Sequence, residues 1–241
     1  MNYKYLKGPV LSRRLGKSLG INIITDKSCS FDCVYCEVGK TLNLTLKRRE
    51  YTPADRIINE LYDFLNKKPN LDYITFSSTG EPTLHSEIDK IIEFIKTNFS
   101  NYKIALLTNS SLLWKNSVRK DILDVDLIVP SLDAVSEEIF NKINQPDPKL
   151  KINKIIKGLI KLKEQYNGKI WLEIFIIPGL NDSSKELNKF VDFVKKLKPD
   201  KIQINSLDRP GTQNWIKKLS AKQKKEIKSY FSNLNIEIEI L

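Results

Sequence analysis

The chain of 241 residues has only three cysteines, one histidine and one methionine. The cysteines are Cys29, Cys33 and Cys36, all within eight residues. With no other thiol in the chain, they cannot form a disulfide framework. No apolar run approaches the roughly 20 residues needed to cross a membrane. The N-terminus, Met-Asn-Tyr-Lys-Tyr-Leu-Lys, lacks the apolar core of a signal peptide. A cytoplasmic protein with no membrane partner is therefore expected. No internal repeat, low-complexity tract or Pro/Gly-rich linker divides the chain, so a single domain over residues 1–241 is expected. Within it, residues 1–19 read as a basic segment, 20–210 as the core, and 211–241 as a terminal helix and strand.

Arginine is also scarce, with seven against 33 lysines at a net charge of +11. The lysines are spread along the whole chain, as on solvated helix faces. An anionic partner such as RNA is the alternative meaning of that charge. The few arginines are more informative. Arg13, Arg14, Arg48 and Arg49 flank the cysteines as two adjacent pairs, and Arg209 lies far downstream. In a lysine-biased chain, arginine suggests a need for its bidentate fork. Residues 1–56 hold 11 Lys or Arg against five Asp or Glu, a local excess on both sides of the cysteines.

Short, β-branched, nearly continuous apolar runs predict strands at 20–24, 72–77, 103–108, 126–131, 170–177 and 201–205. Amphipathic patterns predict helices at 53–67, with Thr52 as N-cap, and at 86–98, 150–166, 184–197 and 220–234. Residues 236–241 alternate Ile and Glu and read as an edge strand. Six strand–helix units imply an α/β fold with a parallel sheet and right-handed crossovers. A flat sheet and a barrel-like curl both satisfy the pattern, and in both, ligands sit at the carboxyl ends of the strands.

The segment Cys29-Ser-Phe-Asp-Cys33-Val-Tyr-Cys36 follows the first of those strands. Thiolates favour zinc or iron–sulfur clusters. Zinc would need a fourth ligand, and the one histidine, His85, lies about 50 residues away. A four-iron cubane held by three cysteines keeps one iron free for a small molecule. The spacing C-x3-C-x2-C, with Tyr35 directly before the last cysteine, resembles the signature of the radical S-adenosylmethionine (SAM) superfamily. A second motif supports it: the strand at 72–77 runs into Ser78-Thr79-Gly80-Glu81-Pro82, which is similar to that family's Gly-Gly-Glu-Pro turn.

The resemblance implies a partial (β/α)6 TIM-like barrel with a [4Fe–4S] cluster on Cys29, Cys33 and Cys36. It implies SAM bound beside the cluster. Thr79, Gly80 and Glu81 would hold its amino group. Ser131 and Asp133 would meet the ribose or carboxylate, and Ile177 would lie near adenine. Tyr35, Asn109 and Asn205 complete the candidate SAM contacts. The cluster would cleave SAM reductively to a 5′-deoxyadenosyl radical that abstracts hydrogen from a substrate. A reductant such as flavodoxin or ferredoxin would be a partner, and the activity would be that of an oxidoreductase. A plain electron-transfer iron–sulfur protein is the non-enzyme alternative, but it would leave the Gly80-Glu81-Pro82 turn without work.

Residues 8–22, the cysteine loop and residues 205–211 further resemble a group of small radical SAM proteins related to the tRNA wybutosine-synthesis enzymes. Wyosine-forming enzymes carry extra cysteines for a second cluster that handles pyruvate. No spare cysteine exists here, so that condensation is not expected. Neither a spare cysteine nor an internal methionine is available as a hydrogen donor, since the lone methionine is Met1. The resemblance points to modification of tRNA or other RNA, with phosphate contacts from Arg13, Arg14, Arg48 and Arg49 and stacking by Tyr3, Tyr5 or Tyr51. A small phosphorylated or carboxylated metabolite, or a peptide, is the alternative substrate, with Arg209 as an anion clamp.

Overall fold

The computed structural model describes residues 3–241. Met1 therefore lies outside the described residues. One sheet of eight strands organises the chain, in the order β1-β2-β5-β6-β7-β8-β9-β10. The strands are β1 (Leu6–Ser12), β2 (Gly16–Ile21), β5 (Tyr73–Phe76), β6 (Ile104–Thr108), β7 (Leu127–Pro130), β8 (Lys169–Phe175), β9 (Lys201–Asn205) and β10 (Glu237–Ile240). Two short strands, β3 (Ser28–Cys29) and β4 (Asn43–Leu44), pair with each other apart from this sheet. From β2 to β10 every neighbouring pair in the large sheet is parallel. The crossovers carry α1 (Ala54–Leu65), α2 (Ile88–Asn98), α3 (Asn116–Lys120), α4 (Glu137–Asn144), α5 (Ile152–Gln165), α6 (Ser184–Leu197) and α7 (Ala221–Phe231).

Helices α1, α2, α5, α6 and α7 form where the apolar spacing predicts them, because that spacing gives each one a stripe to bury, whereas α3 and α4 are additional to those expected. In α2, Ile88, Ile91, Ile92 and Ile95 are all buried against the sheet. Each such side chain stabilises the fold by about 1.5–3 kcal/mol relative to exposure. The α1 cap differs from expectation. Pro53 rather than Thr52 is the N-cap residue, with no side-chain cap. The freed Ala54 N–H instead donates to Glu50 Oε1 at 3.2 Å.

The N-terminus corrects the expected layout. The basic segment folds into β1, which pairs antiparallel with β2, and β2 starts at Gly16 rather than at residue 20. The terminal strand β10 does lie at the edge, but parallel to β9, so seven strands rather than six run parallel.

The sheet is strongly curled. In a flat sheet the four steps from β2 to β8 would separate them by about 19 Å. Yet Arg14, in the β1–β2 turn, contacts Glu173 of β8 directly. Arg13 of the same turn reaches Asp208, beyond β9, at 3.3 Å. The strands thus wrap part of a barrel, while the order from β1 to β10 leaves it open. Leu15, Ala105, Leu127 and Val129 pack together as an apolar floor, against Tyr73, Leu107 and Trp171. Above that floor the sheet presents Ser18, Gly20, Thr75 and Ser77. Small and polar residues there leave room that larger side chains would have filled.

Candidate active site

The cysteines lie on the loop that leaves β2, at the carboxyl ends of the strands. Several elements fasten this loop. Cys29 pairs in β3 with Leu44. The end of α4 receives Asp32 N–H and Val34 N–H at Asn144 O (3.0 Å) and Ile143 O (2.9 Å). Thr212 Oγ1 bonds Cys33 O at 3.0 Å and Val34 O at 2.7 Å. Gly211 has no room for a side chain, since a Cβ there would sit 2.5 Å from Tyr35 O.

The turn after β5 meets the same loop. Glu81 N–H donates to Ser28 O at 3.2 Å. A Cβ on Gly80 would fall 1.7 Å from that carbonyl oxygen, so only glycine lets the two backbones approach. The Glu81 side chain is buried and hydrogen-bonded at both oxygens. Its Oε1 accepts from Thr83 N (3.1 Å), Thr83 Oγ1 (2.6 Å) and Thr108 Oγ1 (2.6 Å), and its Oε2 from Asn109 N (2.7 Å). Burial raises its pKa, and these donors oppose the rise. The carboxylate therefore ties the end of β5 to the end of β6.

Cys29, Cys33 and Cys36 line one cavity of about 280 Å³ with Tyr35, Thr79, Gly80, Glu81, Asn109 and Ser131. Asn109 Nδ2 and Asn144 Nδ2 each lie 3.5 Å from a cysteine sulfur, Cys29 and Cys33 respectively. Burial, then the nearby Glu81, pushes the Cys29 thiol up to about 11, and burial, then Asp133, raises Cys33 as well. Without metal these are thiols, so iron must displace their protons. Among the described residues, no three His, Cys, Asp or Glu side chains converge tightly enough for a single metal ion. The three thiols face one cavity instead, which suits ligands to separate irons of one cluster. His85 takes no part: its Nε2 is 2.7 Å from Thr52 O, and its Nδ1 accepts Glu87 N–H at 3.1 Å.

Three candidate SAM residues stand back from the cavity. Asp133 lies behind Tyr35, accepting its hydroxyl at 2.6 Å, Asn144 Nδ2 at 2.7 Å and Phe175 N–H at 3.0 Å. Burial pushes its carboxyl up to about 6. Tyr35, thus held, stacks on Phe175 with centroids 3.8 Å apart. Ile177 is buried with Val34, Phe175 and Ile216 beneath the cysteine loop. Asn205 pairs in register with Phe175 and caps Ser206 N–H.

The cavity also holds two charged residues not singled out from the sequence. Lys27 is buried, with Nζ 3.0 Å from Cys36 Sγ. Glu173 links Ser131 Oγ, at 3.0 Å, to Arg14. Its signal was a carboxylate in the middle of an otherwise apolar strand.

The arginines separate. Arg48 serves the fold, bonding Thr83 O, His85 O and Asp121. Arg49 pairs with Asp26 and lies over the Tyr51 ring. Arg13, Arg14 and Arg209 meet at a second cavity, described below. Of the tyrosines proposed to stack bases, Tyr5 is buried and Tyr3 packs on Phe64 while donating to Asp63.

Comparison with known proteins agrees with this geometry. Residues 23–193 match the family described as Radical SAM superfamily. The chain is 41% identical over 212 residues to the UPF0026 protein MJ1312 of Methanocaldococcus jannaschii, covering 87% of this chain and 65% of that protein. It is 39% identical over 238 residues to a protein of Brachyspira hyodysenteriae named GTPase Obg, covering 98% of this chain but 35% of that protein. The chain thus spans from a third to two thirds of these relatives. A solved structure of TYW1 with a lysine-pyruvate adduct superposes with a TM-score of 0.64 at 19% identity, covering 90% of this chain and 73% of that one. No helix among the described residues is long and apolar enough to cross a membrane.

Proposed function

This chain belongs to the radical SAM superfamily, and from that premise we propose that it is an enzyme with a [4Fe–4S] cluster and SAM as cofactors and that its own residues carry the reaction as follows. Cys29, Cys33 and Cys36 would hold the cluster and leave one iron for SAM. The observation that carries this is the shared cavity of the three thiols and the Thr79-Gly80-Glu81 turn at the strand ends. Bound there, the cluster and SAM supply, with one electron from a reductant such as flavodoxin or ferredoxin, a 5′-deoxyadenosyl radical that takes hydrogen from a substrate.

The remaining roles belong to the protein. Gly80 lets the turn lie against the cysteine loop. Backbone carbonyls of that turn and the remaining lone pair of Glu81 Oε2 are the acceptors left for the SAM amino group. Tyr35 walls the cavity, fixed by Asp133 and Phe175. Asn109 and Ser131 present polar groups to a ribose or carboxylate. Purified anaerobically and reduced with dithionite, the cluster-loaded protein should convert SAM to 5′-deoxyadenosine. Production of 5′-deoxyadenosine by Cys33→Ala would falsify the assignment.

An RNA nucleoside, in tRNA above all, is a second reading of the substrate, favoured by the net charge of +11. Bulk tRNA should then bind with an affinity that falls steeply with salt. Absence of binding at low salt would remove that reading.

A further inference from the structure

Beside the SAM cavity lies a second one of about 480 Å³, walled by the β1–β2 hairpin and the loop after β9. The two cavities share Ser77 and Leu107 as lining residues. Its volume is in the range of small-molecule sites, roughly 300–1,000 Å³. Its position places any occupant against the cavity where the radical would form.

The lining is strongly one-signed. Lys7, Arg13, Arg14 and Arg209 border it, and no Asp or Glu does. The carboxylates that pair with these arginines approach from outside the lining: Asp208 on Arg13 at 3.3 Å, Glu37 on Arg209 at 3.3 Å, and Glu173 on Arg14. Among the described residues Lys7 pairs with none. The Arg13 and Arg209 pairs are exposed, with side chains 54% and 74% accessible. Such pairs contribute little, so an incoming anion displaces them at small cost. Each guanidinium also keeps donors beyond those its carboxylate uses. The rest of the wall is hydroxyl-rich, with Ser12, Ser18, Thr75 and Ser77. Ser18 and Thr75 bond each other at 2.6 Å.

We propose that this cavity is the substrate site of the reaction above, and that it takes a small molecule bearing a phosphate or carboxylate, clamped by Arg13, Arg14, Arg209 and Lys7. The inference rests on the proposed radical SAM reaction, and its test reads anion binding and that reaction separately. Anion binding by the cluster-loaded protein with SAM is measured by titration calorimetry, with pyrophosphate and succinate as probes. Arg13→Gln combined with Arg209→Gln removes two clamp residues whose side chains are exposed. Arg56→Gln, on the outer face of α1, is the control for loss of an exposed arginine away from the cavity.

Binding weakened tenfold or more by the double change and unaltered by Arg56→Gln is the expected result. Preference for pyrophosphate marks a phosphorylated substrate, and preference for succinate a carboxylated one. No binding of either probe, or equal weakening in the control, overturns the proposal. So does bulk tRNA that binds wild type and the double variant alike while neither probe binds. Formation of 5′-deoxyadenosine is followed in parallel samples reduced with dithionite. Its presence with no anion binding sinks the clamp alone, and its absence sinks the reaction whatever the anions do.

Discussion

Lys27 Nζ lies 3.0 Å from Cys36 Sγ and pairs with no carboxylate among the described residues. Lys27 is 8% exposed and lines the cavity of the three thiols. A buried ammonium without an acid is costly unless another negative charge balances it. A thiolate-ligated cluster supplies that charge, and reduction makes it more negative. Replacing Lys27 by Met is therefore expected to make the cluster harder to reduce. Loss of a charge-assisted hydrogen bond of about 1.5 kcal/mol corresponds to a fall of about 60 mV in a one-electron couple. A redox titration followed by electron paramagnetic resonance measures the midpoint. An unchanged midpoint would mean that the lysine serves SAM or the fold instead.

Gly80 carries the second expectation. A Cβ at this position cannot be absorbed by a flexible side chain, because the first atoms it meets are the backbone O and C of Ser28. The turn and the cysteine loop must part, breaking the Glu81 N–H to Ser28 O bond. Gly80→Ala should cost about 1–3 kcal/mol and lower the iron content after reconstitution. Urea unfolding and iron assay read the two effects separately. Full iron loading at wild-type stability would show that the loop moves freely.

These two residues also show how far the sequence was legible. The cysteine spacing and the Gly80-Glu81 turn point to the candidate site because each is local, set by a few adjacent residues. The parallel core was legible for a similar reason, since buried strands and apolar helix stripes leave periodic patterns. The β1 strand left none: Gly8 and Pro9 interrupt it, and Val10 and Leu11 are exposed. Long-range partners were hidden as well. Nothing local to Arg48 says that it holds the turn at Thr83 and His85, and nothing near Thr212 says that it grips Cys33 O. The arginine pairs flank the cysteines in sequence, whereas chain topology sends Arg13 and Arg14 to the second cavity, Arg48 into the fold and Arg49 to an exposed pair with Asp26.

His85 gives a pH expectation. Its Nδ1 accepts Glu87 N–H, so the neutral ring carries its proton on Nε2 and donates to Thr52 O. Burial is the main cause that lowers its pKa below the ordinary 6.5. The charged form is thus less favourable in the folded chain than in the unfolded one. The resulting stability is present above the unfolded pKa and is lost as pH falls toward the folded value. The contribution of His85 to the urea stability of the cluster-free protein should be lost on acidification below about pH 6.5, against the opposite slope from the raised Asp133 carboxyl, so His85→Gln should lose less stability than wild type over that window. If the pH dependence is unchanged in the variant, another group causes it.

Glu81 separates structural work from ligand binding. Its two oxygens accept four hydrogen bonds, three from Thr83 and Thr108 on one side and one from Asn109 N–H on the other. Gln at this position must turn an NH2 toward one of those sides. Facing Asn109, it opposes donor to donor. Facing the threonines, it can be rescued where a hydroxyl rotates, but Thr83 N–H still loses its acceptor. The expected cost is about 1–3 kcal/mol, the range for a buried donor left unpaired. Glu81→Ala removes all four acceptors and should cost more. SAM affinity then distinguishes the two roles. If the carboxylate is spent on the fold, SAM binding weakens only as far as stability does, and less in Gln than in Ala. If the carboxylate pairs directly with the SAM ammonium, Gln should lose tenfold or more in affinity while its stability falls little. Calorimetric SAM titration beside urea unfolding of both variants decides between them, and the four hydrogen bonds that tie the carboxylate to the ends of β5 and β6 predict the first outcome.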